Sequence, residues 1–89
     1  MANVKSAIKK ARVALRRRQR NSMFKSMIRT SVRRLDEALR SEDPGLAQSA
    51  LRKAYSVIDK AAEKGVIHKN AAARRKARLS RRLNARAAE

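Results

Sequence analysis

Eighty-nine residues suggest one domain, and a chain this short buries only about 60 to 65 per cent of its unfolded surface, so its core must be modest. Hydrophobic residues make up 43 per cent, but many are Ala, and Phe24 and Tyr55 are the only aromatics. Twenty-five Lys and Arg against seven Asp and Glu give a formal charge of +18, which repels itself and favours a polyanionic partner. With no Cys, disulfides and thiolate metal sites are excluded, and no segment has the roughly 18 apolar residues of a membrane span. The start lacks the apolar run of a signal peptide, so the chain is expected to be mature, soluble and cytoplasmic.

Two breaks divide the sequence into three helical segments. The first helix is expected over about 4–40, with Asn3 as its cap, and would run without Gly or Pro for roughly 55 Å at 1.5 Å per residue. Phe24, Ile28, Ser31, Leu35 and Leu39 share one stripe at helical spacing, with Met27 and Ala38 beside it, and this is the predicted core face. Val4, Ile8, Ala11 and Leu15 form a second stripe nearly opposite the first, so the two faces do not join. Between them lie Arg16 to Ser22, seven residues without an apolar side chain, which cannot enter a bundle core.

The first break is Ser41-Glu42-Asp43-Pro44-Gly45, where Asp43 can cap a new helix and Pro44 suits its first turn. That second helix, about 44–64, places Ala47, Ala50, Leu51, Ala54, Ile58 and Ala61 on one side, a stripe of small residues that permits close helix approach. Gly65 fits a left-handed cap, with Val66 folding back onto the preceding turn. The third helix, about 68–87, offers Ala72, Leu79 and Leu83, interrupted by Lys76. Short connections make neighbours antiparallel, so an all-α three-helix bundle is predicted, with a long N-terminal helix overhanging the other two, in a single domain over 1–89.

Charge follows the same boundaries. Residues 1–35 hold twelve Lys and Arg and no acid, residues 36–63 four against six, and residues 64–89 nine against one. The compensating i to i+4 pairs of an ordinary solvated helix cannot form in the first 35 residues. Cationic helices of this kind suit nucleic acid, where each phosphate contact releases condensed counterions. Arg adds a planar fork that grips phosphate with two hydrogen bonds, which singles out Arg12, Arg16, Arg17, Arg18 and Arg20, and Arg74 to Arg86 including Arg78, with Lys76 among them as a further candidate RNA contact. Asn21, Ser22, Ser26 and Thr30 interleave with Lys25, Arg29 and Arg33 on the side of the first helix away from Phe24, where short polar groups let a phosphate backbone approach closely.

Catalysis has no support. His68 is the only His, one His makes no metal site, and no nucleophile and orienting carboxylate surround it, so it is expected to start a helix or touch RNA. Neither enzyme activity, metal, cofactor nor small-molecule substrate is expected. Phe24, Tyr55, Met23 and Met27 are read as core filler rather than base-stacking groups.

The opening Met1-Ala2-Asn3-Val4-Lys5-Ser6-Ala7, the pair Arg20-Asn21 followed by Lys25-Ser26 and Arg29-Thr30, and the run Lys64-Gly65-Val66-Ile67-His68-Lys69-Asn70, extended by Ala72, Ala73, Arg74 and Lys76, carry a resemblance over essentially the whole chain. The sequence resembles bacterial small-ribosomal-subunit protein number twenty of the S series. That resemblance implies a three-helix bundle with a long first helix that binds 16S ribosomal RNA directly and contributes to subunit assembly. It implies RNA contacts at Asn3, Lys5, Ser6, Lys9, Lys10, Asn21, Ser22, Lys25, Ser26 and Arg29, and at His68, Lys69, Asn70, Arg74 and Arg75. With 16S rRNA as partner, few protein contacts and no membrane are expected. A chromatin-type protein binding duplex DNA, and a membrane-surface amphipathic protein, are the competing readings, the latter weakened because its apolar face offers only Val4, Ile8 and Leu15.

Overall fold

The turn at residues 41–43 shows how the chain reverses. Ser41 closes the first helix by donating from Oγ to the Ala38 carbonyl at 2.6 Å, and Glu42 takes the left-handed region at φ 64. Asp43 then accepts from the backbone N–H groups of Gly45 and Leu46 at 3.0 and 3.3 Å, satisfying two of the donors a helix start leaves open, with Pro44 in the first turn. The computed structural model describes the backbone of residues 2–88 and the side chains of residues 4–86.

Three helices result: α1 over Ala2–Arg40, α2 over Pro44–Glu63 and α3 over Lys69–Ala88, with no strand among the described residues. Asn3 does not cap α1. The helix is already wound at Ala2, which puts Asn3 inside it, and the Asn3 side chain lies outside the described residues. The first-turn N–H groups of a solvated helix can bond water, so no side-chain cap is required there.

The link from α2 to α3 is a glycine-capped reversal. Val66 N–H bonds the Ala61 carbonyl at 2.9 Å and Gly65 N–H the Ala62 carbonyl at 3.1 Å, while Gly65 sits at φ 77. This is the paired-bond C-cap that needs a residue in the left-handed region, and half-buried Val66 packs back on the core. A Cβ at Gly65 would meet nothing within 4 Å, so the cost of a side chain is conformational rather than steric. Gly65→Ala is expected to lower stability by about 1 kcal/mol, read as a fall in melting temperature of several degrees. An unchanged melt would mean the cap contributes nothing.

Phe24, Ile28, Leu35, Ala54, Ile58, Ala61, Ala72 and Leu79 make one buried cluster drawn from all three helices. Ala38 and Ala47 are also buried, so half of the ten buried hydrophobic residues among those described are Ala. Small side chains let the helices approach closely but bury little area each, which leaves Phe24 and the fully buried Leu35 and Ile58 among the main anchors. Tyr55 is half-buried and donates from its hydroxyl to the Lys76 carbonyl at 3.1 Å, so both aromatics are packed as expected.

Met23 and Met27 are not core. They are 52 and 39 per cent exposed, because they lie on the edge of α1 opposite the one that meets α3 near Asp36 and Leu39. Helix α2 packs against both neighbours, whereas α1 and α3 barely touch, and the Met23–Met27 edge of α1 borders an open groove beside Lys53, Ser56 and Val57 of α2. The backbone extends over 67 × 22 × 13 Å, far longer than the roughly 30 Å of a 20-residue helix. The surplus is the N-terminal part of α1, in which every side chain from Val4 to Arg20 is exposed.

Candidate nucleic-acid interface

Acidic side chains concentrate where the three helices run together, and there they neutralise part of the basic charge. Arg82 of α3 donates to Asp36 of α1 at 3.2 Å, Lys76 of α3 meets Asp59 of α2 at 2.9 Å, and Arg33 lies 3.9 Å from Glu37. All are substantially solvated, so each contributes little to stability. Their effect is on distribution: unneutralised cations are left on the overhang and on the outer side of α3.

The overhang carries Lys5, Ser6, Lys9, Lys10, Arg12, Arg16, Arg17 and Arg18, all exposed. Within it Lys5, Lys9, Arg12 and Arg16 line one continuous shallow face together with Ile8 and Val13. On α3, Lys69, Asn70, Arg74, Arg75 and Arg78 are exposed. Arg81, which falls within the arginine run Arg74 to Arg86, is exposed and extends the Arg74–Arg78 row at a three-residue offset from Arg78.

Two cross-helix bonds set the register of α1 against α3. Arg82 bonds Asp36, and the Arg86 Nε donates to the Leu39 carbonyl at 3.1 Å. Both helices run antiparallel to α2 and hence parallel to each other, so a residue of α3 stands about level with the α1 residue 46 or 47 positions earlier. That offset places Lys69 and Asn70 level with the Ser22–Phe24 turn, and Arg74 and Arg75 level with Met27 to Arg29. Lys25 and Arg29 lie on the edge of α1 toward α3. The two separate stretches singled out in the sequence, 21–29 and 68–75, are therefore brought to one end of the bundle, where the overhang begins.

Several residues in this region also serve the fold. His68 caps α3: its Nδ1 accepts from the Asn70 N–H at 3.1 Å, and its carbonyl accepts from Ala72 N–H at 3.0 Å. In the neutral ring the proton then sits on Nε2, the outward donor. Arg20 is tied to the bundle, with Nη2 donating to the Lys64 carbonyl at 3.3 Å, and so latches the base of the overhang to the C-terminal end of α2. Asn21 does not lie on the far side of α1 with Ser22 and Ser26. It is half-buried, and its Oδ1 is buried without a hydrogen-bond partner among the described residues, so the carboxamide oxygen faces inward. Thr30 is likewise half-buried. Lys76 is held by Asp59 and lies 5.7 Å from the Tyr55 ring centroid, a cation–π distance, so its charge is partly neutralised within the bundle. Ser22, Lys25, Ser26, Arg29 and Arg33 are exposed as the sequence suggested.

Among the described residues no cluster of three or more His, Cys, Asp or Glu could hold a metal ion, and no helix is long and apolar enough to cross a membrane. Fold and charge together define a small basic helical protein, a three-helix bundle with an unsupported cationic rod at one end. Its sequence matches the family model of ribosomal protein S20 over residues 2–84. It is 53 per cent identical to the small ribosomal subunit protein bS20 of Legionella pneumophila (strain Corby), over 99 per cent of this chain and all of that one. Identity is 50 per cent to the protein of the same name in Desulforamulus reducens, over 94 per cent of this chain and 96 per cent of that one. With the bS20 of Symbiobacterium thermophilum it is 53 per cent, over 93 and 85 per cent. The chain belongs to the ribosomal protein S20 family, a structural and non-enzymatic kind of protein.

Proposed function

We propose that this chain is a structural constituent of the bacterial small ribosomal subunit. It binds 16S rRNA directly through the basic faces of α1 and α3, neutralising phosphates and stabilising the folded RNA during assembly. The whole chain acts as one RNA-binding domain, in the cytoplasm, with few protein contacts and no membrane. Contacts are expected from Lys5, Ser6, Lys9, Lys10, Arg12, Arg16, Arg17, Arg18, Ser22, Lys25, Ser26, Arg29 and Arg33 of α1, and from the His68 to Arg75 stretch and Arg78 of α3.

One observation carries this reading: residues 4–20 hold eight Lys and Arg and no acid, are exposed on every side, and extend beyond the other helices. Like charges at i and i+4, as at Lys5–Lys9 and Arg12–Arg16, destabilise a free helix, so such a rod makes physical sense only among counter-charges. Membership of a ribosomal protein family, and relatives named for the small subunit, support ribosomal RNA as that polyanion.

Duplex DNA presents a similar charge density but a different groove shape and no 2′-hydroxyl. Competition between 16S rRNA and a DNA duplex at fixed, moderate salt is the deciding experiment. The rRNA is expected to win clearly; equal affinity for both would point to a chromatin-type protein instead.

A further inference from the structure

The overhang is not uniformly polar. Val4, Ile8 and Leu15 are 61, 48 and 54 per cent exposed, and with Ala11 they lie within about 40° of one line along α1. Ser22 and Ser26 lie on the same line beyond Arg18 and Gln19, so the strip is apolar over residues 4–15 and carries short hydroxyls at 22 and 26, on the side of α1 facing away from the bundle core. An isolated helix gains nothing from exposing such a strip, and no other element of this chain covers it.

Its borders are cationic, and they are staggered. Lys5, Lys9, Arg12 and Arg16 flank one edge of the N-terminal half, while Arg18 and Lys25 flank the opposite edge of the next half. A helix with this layout can cross a groove obliquely, touching one phosphate strand early and the other later, while its uncharged strip rests on the floor between them. The floor must be shallow and wide enough for a helix about 10 Å across. The minor groove of A-form RNA is wide and shallow and lined by riboses, whereas the minor groove of B-form DNA, about 6 Å wide, is too narrow.

Building on the RNA-binding reading above, we infer that the strip of Val4, Ile8, Ala11 and Leu15 is itself a docking surface for the minor groove of double-helical RNA. The apolar side chains pack on ribose faces, Ala11 lets the helix axis come close, and the flanking cations reach the two backbones. Affinity for duplex RNA then has a component that does not depend on salt.

The test compares two double variants of the full chain, Ile8→Gln with Leu15→Gln and Ile8→Met with Leu15→Met. Gln and Met have similar length and helix propensity, and neither changes the charge, so the pair isolates polarity. The probes are a blunt RNA duplex of about two helical turns, a DNA duplex of equal length, and vesicles rich in anionic lipid. The Gln pair is expected to bind the RNA duplex about tenfold more weakly than the Met pair, with the same dependence on salt and no difference on DNA. Equal RNA binding by both variants would overturn the inference, as would an equal loss on DNA. So would a loss confined to vesicles, which would make the strip a membrane-surface face. An intact chain that bound neither 16S rRNA nor the RNA duplex would bring down the functional reading itself, which is a separate outcome.

Discussion

Leu35→Ala is expected to lower the stability of the free protein by about 2 to 5 kcal/mol, a fall in melting temperature of at least about 10 °C. Leu35 is fully buried, and so many of its buried neighbours are Ala that little side-chain volume is available to relax into the cavity. The chain is small and self-repelling, so a loss of this size consumes a large share of its total stability, which for 89 residues is on the order of 4 to 13 kcal/mol. Thermal melting by circular dichroism provides the measurement. An unaltered melt would mean that the stripe through Phe24, Ile28 and Leu35 is not the core. Bound RNA should restore part of the loss, because a ligand that binds only the folded form stabilises it by mass action.

The second large effect is electrostatic. Replacing Arg16, Arg17 and Arg18 together with Ala is expected to weaken 16S rRNA binding and to reduce the slope of log affinity against log salt by about two to three units. All three are exposed on the unsupported part of α1, clear of the acidic side chains that pair with α3, so their loss should leave the melting of the bundle nearly unchanged. That separation distinguishes them from Arg20, whose guanidinium holds the Lys64 carbonyl and whose removal would disturb the fold as well. A wild-type slope in the triple variant would mean that these residues face solvent in the complex.

Much of the architecture can be read in the sequence because its punctuation is chemical. Asp43-Pro44 and Gly65 each do a job that few other residues can, and the helix boundaries fall beside them. The core face of α1 was legible from spacing alone, since apolar residues at helical intervals define an angle on the helix. Spacing does not say how far around that angle the neighbours reach, which is why Met23 and Met27 looked internal and are exposed. The weak pattern of α3 has a similar cause: Lys76 interrupts its apolar side, yet it is partnered by Asp59 and Tyr55, residues about twenty positions away.

The candidate interface divides in the same manner. Net charge and its segregation identified both cationic arms, because charge needs no knowledge of packing. Residues with two roles were not separable from sequence. In the run from Lys64 to Asn70, which carries much of the family likeness, Gly65 forms the reversal, the Lys64 carbonyl receives Arg20, and His68 caps α3. These residues hold the base of the overhang in place beside the basic end of α3. Asn21 belongs with them, its oxygen turned into the bundle, whereas Ser22 and Ser26 on the following turns face outward.

The proposed function rests on cationic helix faces that are stable and purposeful only among phosphates. Titrating the intact chain against 16S rRNA over a range of ionic strength examines this directly. Tight binding at about 0.15 M salt, falling linearly on a logarithmic scale with a slope of several units, is the result predicted. A chain that stays well folded by circular dichroism at that ionic strength and shows no affinity for 16S rRNA would contradict it.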